Sequence, residues 1–149
     1  MNHSAKLFPY KKVMVIDDSN IDRRIAKLNI ERFEFAEETI SKGSARSALQ
    51  YLEASANLSG KLPGLILLDI RMPEIDGFKF LDEYGKLPES IRDHCTIMML
   101  TSSLNPDDME RAKKSTFVKG FVNKPINSEK LKELKKIKGQ SMVSCRALS

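Results

Sequence analysis

Short apolar runs alternate with amphipathic stretches along the chain. "KKVMVID" (Lys11–Asp17), "LPGLILLD" (Leu62–Asp69), "CTIMMLTS" (Cys95–Ser102) and "KGFVNKP" (Lys119–Pro125) are short and nearly continuously apolar. Such runs suit strands covered on both faces. "FAEETIS" (Phe35–Ser41) is more polar and reads as an edge strand. Helical signals fill the gaps. Ser19 or Asn20 can cap "IDRRIAKLNIERF", in which Ile21, Ile25, Leu28 and Phe33 recur at helical spacing and predict the buried face. Ser44 can cap "ARSALQYLEASANL", with Ala48, Leu49 and Leu52 inward, and Asp76 can cap "GFKFLDEYGKL". "NPDDMERAKK" opens with a cap residue and a proline. Ser128 can cap "EKLKELKKIKG", which carries its glutamates early, its lysines late and Gly139 as a stop.

The alternation is strand–helix repeated five times. It predicts an α/β domain with a doubly wound five-stranded parallel sheet, right-handed crossovers placing helices on both faces. Residues 1–10 are expected to be an N-terminal extension, 11–138 the domain, and 139–149 a loose C-terminal tail. Neither an internal repeat nor a second domain is expected.

Composition narrows the setting. The 149 residues are 41% apolar and 30% charged, as in soluble globular domains. Apolar runs fall short of the roughly 18–20 residues that cross a bilayer, and "MNHSAKLFPYKK" lacks a signal-peptide core. Two cysteines, Cys95 and Cys145, are too few for a disulfide framework. A cytoplasmic protein without membrane partners is the expectation. The net charge is +5, and Ser128–Gly139 holds five lysines against two glutamates. That stretch reads first as a solvated helix face and second as a docking surface for an acidic partner. Nucleic acid is not expected, because no aromatic residues interleave the lysines to stack bases.

Chemistry concentrates at the strand ends. Asp17 and Asp18 end the first strand, Asp69 the third, Thr101 the fourth and Lys124 the fifth. In a parallel sheet these ends share one edge, where α/β ligands bind. Two carboxylates about 4 Å apart repel by roughly 4 kcal/mol at an effective dielectric near 20, so three require a cation. Oxygen donors without histidine or cysteine select Mg²⁺, which recruits phosphate oxygens. Lys124 adds a positive charge and Thr101 a donor, a set suited to phosphoryl transfer. "DSNID" (Asp18–Asp22) imitates half a calcium loop, but Arg23 and Asn29 stand where glycine and glutamate are required. A Walker sequence is missing, and neither His3 nor His94 has a convincing partner.

"VMVIDDS", "LILLDIRMPEIDGF", "MMLTSS" and "FVNKPI" together resemble the receiver domain of two-component response regulators, over roughly Lys11 to Lys138. The resemblance implies a flavodoxin-like sheet in order 2-1-3-4-5. It implies that Asp69 is the phosphoacceptor and that Asp18 and Asp17 bind Mg²⁺, Asp17 largely through water. The Arg71 backbone carbonyl would be a third protein ligand. Lys124 would pair with the acyl phosphate, joined to Pro125 by a cis bond, and small Ser102 would leave the phosphate accessible. Thr101 and Phe121 would be the switch hydroxyl and aromatic, Phe121 turning inward as Thr101 is drawn to the phosphate. The implied donor is a sensor histidine kinase or histidine phosphotransfer protein, with an unnamed downstream protein target. Pairing of copies through the fourth and fifth helices also fits the family. Arg71 and Ser103 sit where the family varies its dephosphorylation rate. The expected function is thus a single-domain response regulator, a phosphorelay component and not an enzyme with a separate substrate. A Mg²⁺-dependent phosphatase, a degenerate scaffold and a phosphohistidine shuttle are the alternatives. "EASANLSGKLPG" (Glu53–Gly64) and "PESIRDHC" (Pro88–Cys95) read as insertions away from the site.

Overall fold

The computed structural model describes residues 7–58, 60–138 and 146–148. Its elements run β1 (Tyr10–Ile16), α1 (Asn20–Arg32), β2 (Ala36–Lys42), α2 (Ala45–Ser55), β3 (Leu65–Asp69), α3 (Gly77–Tyr84), α4 (Glu89–His94), β4 (Thr96–Thr101), α5 (Pro106–Lys113), β5 (Val118–Asn123), α6 (Ser128–Lys138) and β6 (Arg146–Leu148). The sheet order is β2-β1-β3-β4-β5-β6, and every pairing is parallel.

Strand periodicity builds the two layers. Met14, Ile16, Ile66 and Leu68 face one core cluster, where they meet Ala48 and Leu52 of α2, Phe80 and Tyr84 of α3, Ile91 of α4 and Ala112 of α5. Their neighbours Val13, Val15, Leu65 and Leu67 face the other cluster, against Ala26 and Ile30 of α1 and Leu131 and Leu134 of α6. Successive side chains point to opposite faces, so a strand buried on both reads as an unbroken apolar run. All five residues of β3 are buried. Each large aliphatic side chain so placed contributes roughly 1.5–3 kcal/mol. Caps sit where expected: Ser19, Ser44 and Asp76 accept backbone N–H bonds at the starts of α1, α2 and α3.

Four expectations need correction. The sheet has six strands, because Arg146–Leu148, expected in the loose tail, pairs with Gly120–Val122 of β5. Residues 139–145 and 149, with the Gly139 stop and Cys145, lie outside the described residues, as do residues 1–6 with His3. The N-terminal extension ends early, since Tyr10 begins β1. The insertion at Pro88–Cys95 folds into the extra helix α4, so the fourth and fifth helices of the resemblance are α5 and α6 here. Finally, α1 buries a different face. Ile21 and Leu28 are 71% and 60% exposed, Phe33 is 46% exposed, and Ala26 and Ile30 are the buried residues. A helix lying close on a sheet favours a small residue at the contact, which makes Ala26 inconspicuous in a search for large apolar side chains.

Gly77 at the start of α3 is needed for close approach. A Cβ there would lie 2.7 Å from the Asp69 carbonyl oxygen and 3.0 Å from Ile70 Cα. Helix propensity alone favours alanine over glycine by about 1 kcal/mol. Gly77→Ala is nonetheless expected to cost about 2 kcal/mol through overpacking, read as a lower urea midpoint. A stabilised variant would show that the contact relaxes freely.

Candidate functional site

The strand ends gather the acids. Asp17 follows β1 and is 1% exposed, Asp69 ends β3 at 4%, and Asp18 is exposed at the mouth. One carboxylate oxygen from each of the three lies within 4.8 Å of the others. The loop after β1 holds its place with local bonds. The Ser19 N–H donates to Asp17 Oδ1 (3.0 Å), and Ser19 Oγ accepts from the Asp22 N–H (3.2 Å), capping α1. Arg23 Nη1 donates to the Asp17 carbonyl at 2.6 Å and its Nε to Ser41 Oγ at 3.0 Å, tying α1 and β2 to the end of β1. Its other Nη nitrogen bonds Asn20 Oδ1.

Lys124 enters from the residue after β5, whose N–H donates to the Thr101 carbonyl at 2.8 Å. Its Nζ lies 2.7 Å from Asp17 Oδ2, 3.1 Å from Asp22 Oδ2 and 3.3 Å from Asp69 Oδ1. The contact with Asp17 is an ion pair without hydrogen-bond alignment, for Asp17 Oδ2 is buried and accepts no directed bond. The Lys124–Pro125 bond is cis, as the resemblance implies.

Electrostatics follow from this crowding. Burial, then the charge of Asp17, pushes the Asp69 carboxyl up to about 7, with Lys124 pulling the other way. For Lys124, burial works against the charge, but Asp17, Asp69 and Asp22 overcome it and hold the ammonium well above the usual lysine range. A carboxyl pushed toward neutrality among three gathered carboxylates, with one lysine between them, marks a cluster short of positive charge. The donor set is all oxygen and fits Mg²⁺.

The remaining predicted residues are placed as follows. Thr101 ends β4 and is buried; its Oγ1 donates to the Ser103 carbonyl (2.5 Å) and accepts from the Ser103 N–H (3.1 Å). Ser102 is exposed beside it. Phe121 is 1% exposed and packed in the first core cluster, so the structure holds the inward arrangement. Arg71 lies in the loop after Asp69, and its exposed guanidinium reaches Asp108 Oδ2 of α5 at 2.6 Å. His94 is exposed, while burial pushes the neighbouring Cys95 thiol up to about 12. Asp22, Arg23 and Asp108 were not singled out as site residues by the sequence. Their signal was slight: Asp22 was visible only as part of "DSNID".

A family model for the response regulator receiver domain matches residues 13–136. The chain belongs to this family. Among curated relatives, the receiver is 30% identical over 120 residues to "Probable methanogenesis regulatory protein FilR2" of Methanothrix harundinacea, covering 80% of this chain and 76% of that protein. It is 28% identical over 117 residues to "Polar-differentiation response regulator DivK" of Brucella ovis, covering 78% and 86%. Among solved structures, a two component response regulator from Cytophaga hutchinsonii superposes with a TM-score of 0.78 at 28% identity, covering 87% of this receiver and 97% of that chain. The fold is therefore flavodoxin-like, with β6 added beside β5. No helix among the described residues is long and apolar enough to cross a membrane.

Proposed function

We propose that this receiver accepts a phosphoryl group on Asp69 from a phosphohistidine and changes its partner-binding surface in response. The observation that carries this is the convergence of Lys124 Nζ with Asp17 and Asp69 at 2.7 and 3.3 Å, beside a three-carboxylate cluster. An Asp69 oxygen attacks phosphorus, the P–N bond breaks, and the imidazole leaves with the electron pair and takes up a proton from solvent. Bound by Asp17, Asp18, Asp69 and the Arg71 carbonyl, Mg²⁺ would supply charge neutralisation for the phosphoryl oxygens. Lys124 pairs with one of those oxygens, and exposed Ser102 leaves room for them. Roughly one added negative charge draws Thr101 Oγ1 away from the Ser103 carbonyl. Phe121 is already buried here, the inward arrangement that phosphorylation would favour over an outward one. Such a two-state element is biased by a covalent charge change.

Exposed Ile21 and Leu28 on α1, the helix that begins beside the acids, offer an apolar contact for a histidine kinase or phosphotransfer partner. The α5–β5–α6 side is the proposed output and pairing face, with β6 on its outer edge. Lys132, Lys135 and Lys136 of α6 are exposed there for an acidic partner, while Lys130 is buried and donates to the Pro125 carbonyl at 3.2 Å. A phosphatase with a separate substrate is less well supported. One cavity among the described residues, of about 460 Å³, opens at the opposite strand ends, beside Tyr10, Leu65, Thr96 and Lys119.

Incubation with acetyl phosphate and Mg²⁺, followed by intact mass, tests the proposal. The expected result is a phosphate-sized gain that is lost in Asp69→Asn. A folded, Mg²⁺-binding protein that gains nothing would overturn it, and steady turnover of acetyl phosphate without a trapped adduct would favour the enzyme.

A further inference from the structure

We propose that Asp22 is an electrostatic brake on phosphorylation, drawing Lys124 toward α1 and cancelling part of its charge at Asp69. This rests on Asp69 as the phosphoacceptor. Lys124 Nζ touches three carboxylates, but among the described residues its one aligned side-chain hydrogen bond goes to Asp22 Oδ2, at 3.1 Å. Its contacts with Asp17 and Asp69 are ion pairs at 2.7 and 3.3 Å, Asp17 being the nearest of the three acids. Asp22 is not among the three acids whose oxygens gather into the cation-sized cluster. Its charge therefore faces the ammonium and not the metal position.

The consequence follows from charge. A phosphoryl donor brings negative oxygens to Asp69, and Lys124 is the side-chain cation beside it that can meet them. Asp22, bonded to the same nitrogen, offsets that cation and repels the incoming group. Its place is set by the helix: its N–H bonds Ser19 Oγ at 3.2 Å in the first turn of α1. Its side chain is 39% exposed, so dissolved salt reaches it. The plain alternative is an acid at a helix N-terminus that serves stability alone. That role lowers the melting temperature on substitution and leaves the transfer rate alone.

The test is the time course of mass gain with acetyl phosphate at saturating Mg²⁺, for the parent, Asp22→Asn, Asp22→Ala and Asp22→Glu, at low and high salt. At low salt the Asn and Ala variants are expected to react about three- to tenfold faster, with Glu within about twofold of the parent because it restores the charge. The advantage should shrink at high salt. Rates unchanged or slower in both neutral variants overturn the brake, as does an acceleration indifferent to salt or shared by the Glu variant. If the parent itself gains no mass, the phosphoacceptor assignment fails and the brake falls with it. A labelled parent with unaltered variants sinks the brake alone.

Discussion

Lys124→Met is expected to be the most destabilising single change at the site, by about 3 kcal/mol in metal-free protein at neutral pH. The replacement keeps most of the buried hydrocarbon stem, so packing is nearly conserved. What it removes is the cation among Asp17, Asp22 and Asp69. Asp17 is 1% exposed and Asp69 4%, so neither can recover full hydration once the ammonium is gone. Removing one partner of a buried pair costs roughly 3–5 kcal/mol. The lower end applies because Asp69, already raised to about 7, can escape by taking up a proton. The loss should therefore deepen as pH rises and ease in acid. Urea titration in chelator is the measurement, with a midpoint lower by about 1–3 M at the usual slopes for small proteins. Added Mg²⁺ should restore part of the difference by supplying charge to the same oxygens. A variant within about 0.5 kcal/mol of the parent, the range of ordinary surface substitutions, would show that the acids are solvated well enough without the lysine.

The residues in that experiment differ in how visible they were in the sequence. Asp17, Asp69, Thr101 and Lys124 stand at the ends of strands that read as unbroken apolar runs, because both faces of each are covered. Parallel topology then brings those ends to one edge, and the family resemblance rests on the same positions. Asp22 was hidden because its meaning depends on a partner 102 residues away, and no local spacing records that distance. The Arg71–Asp108 pair across the β3–α3 loop and α5 was hidden for the same reason. The face of α1 is hard to read because large apolar residues point to one side, while the helix buries Ala26 and Ile30 and leaves Ile21 and Leu28 in solvent. Helix α4, at six residues, is too short to show a period. Strand β6 joins the sheet through backbone pairing of three residues, a contact that leaves little trace in side-chain pattern.

The opposite substitution tests the same charge imbalance with the opposite sign. In metal-free protein, Asp69→Asn is expected to raise stability at pH 8 and to leave it unchanged near pH 4. The folded carboxyl titrates near 7, against 3.8 for an unperturbed one. Between these values the folded state holds a proton that the unfolded chain has released. Stability is therefore complete below about pH 4 and is lost as pH rises through 7. At 1.36 kcal/mol per pH unit the full difference would be about 4 kcal/mol. Roughly half of that is retained here, because the cluster opens to solvent at Asp18 and salt screens it. Asparagine keeps the shape and cannot ionise, so it escapes the loss and leaves Lys124 paired with Asp17 and Asp22. A gain of about 2 kcal/mol corresponds to a melting temperature roughly 4–8 °C higher for a chain of this size. Melting curves in chelator across that pH range are the check, with Mg²⁺ expected to stabilise the parent more than the variant. An Asn variant less stable than the parent at pH 8, or a difference that does not grow with pH, would mean that Asp69 is ionised and well compensated without a metal. The acids would then have no surplus charge for Mg²⁺ to relieve, and the oxygen cluster would lose its physical reason to bind one.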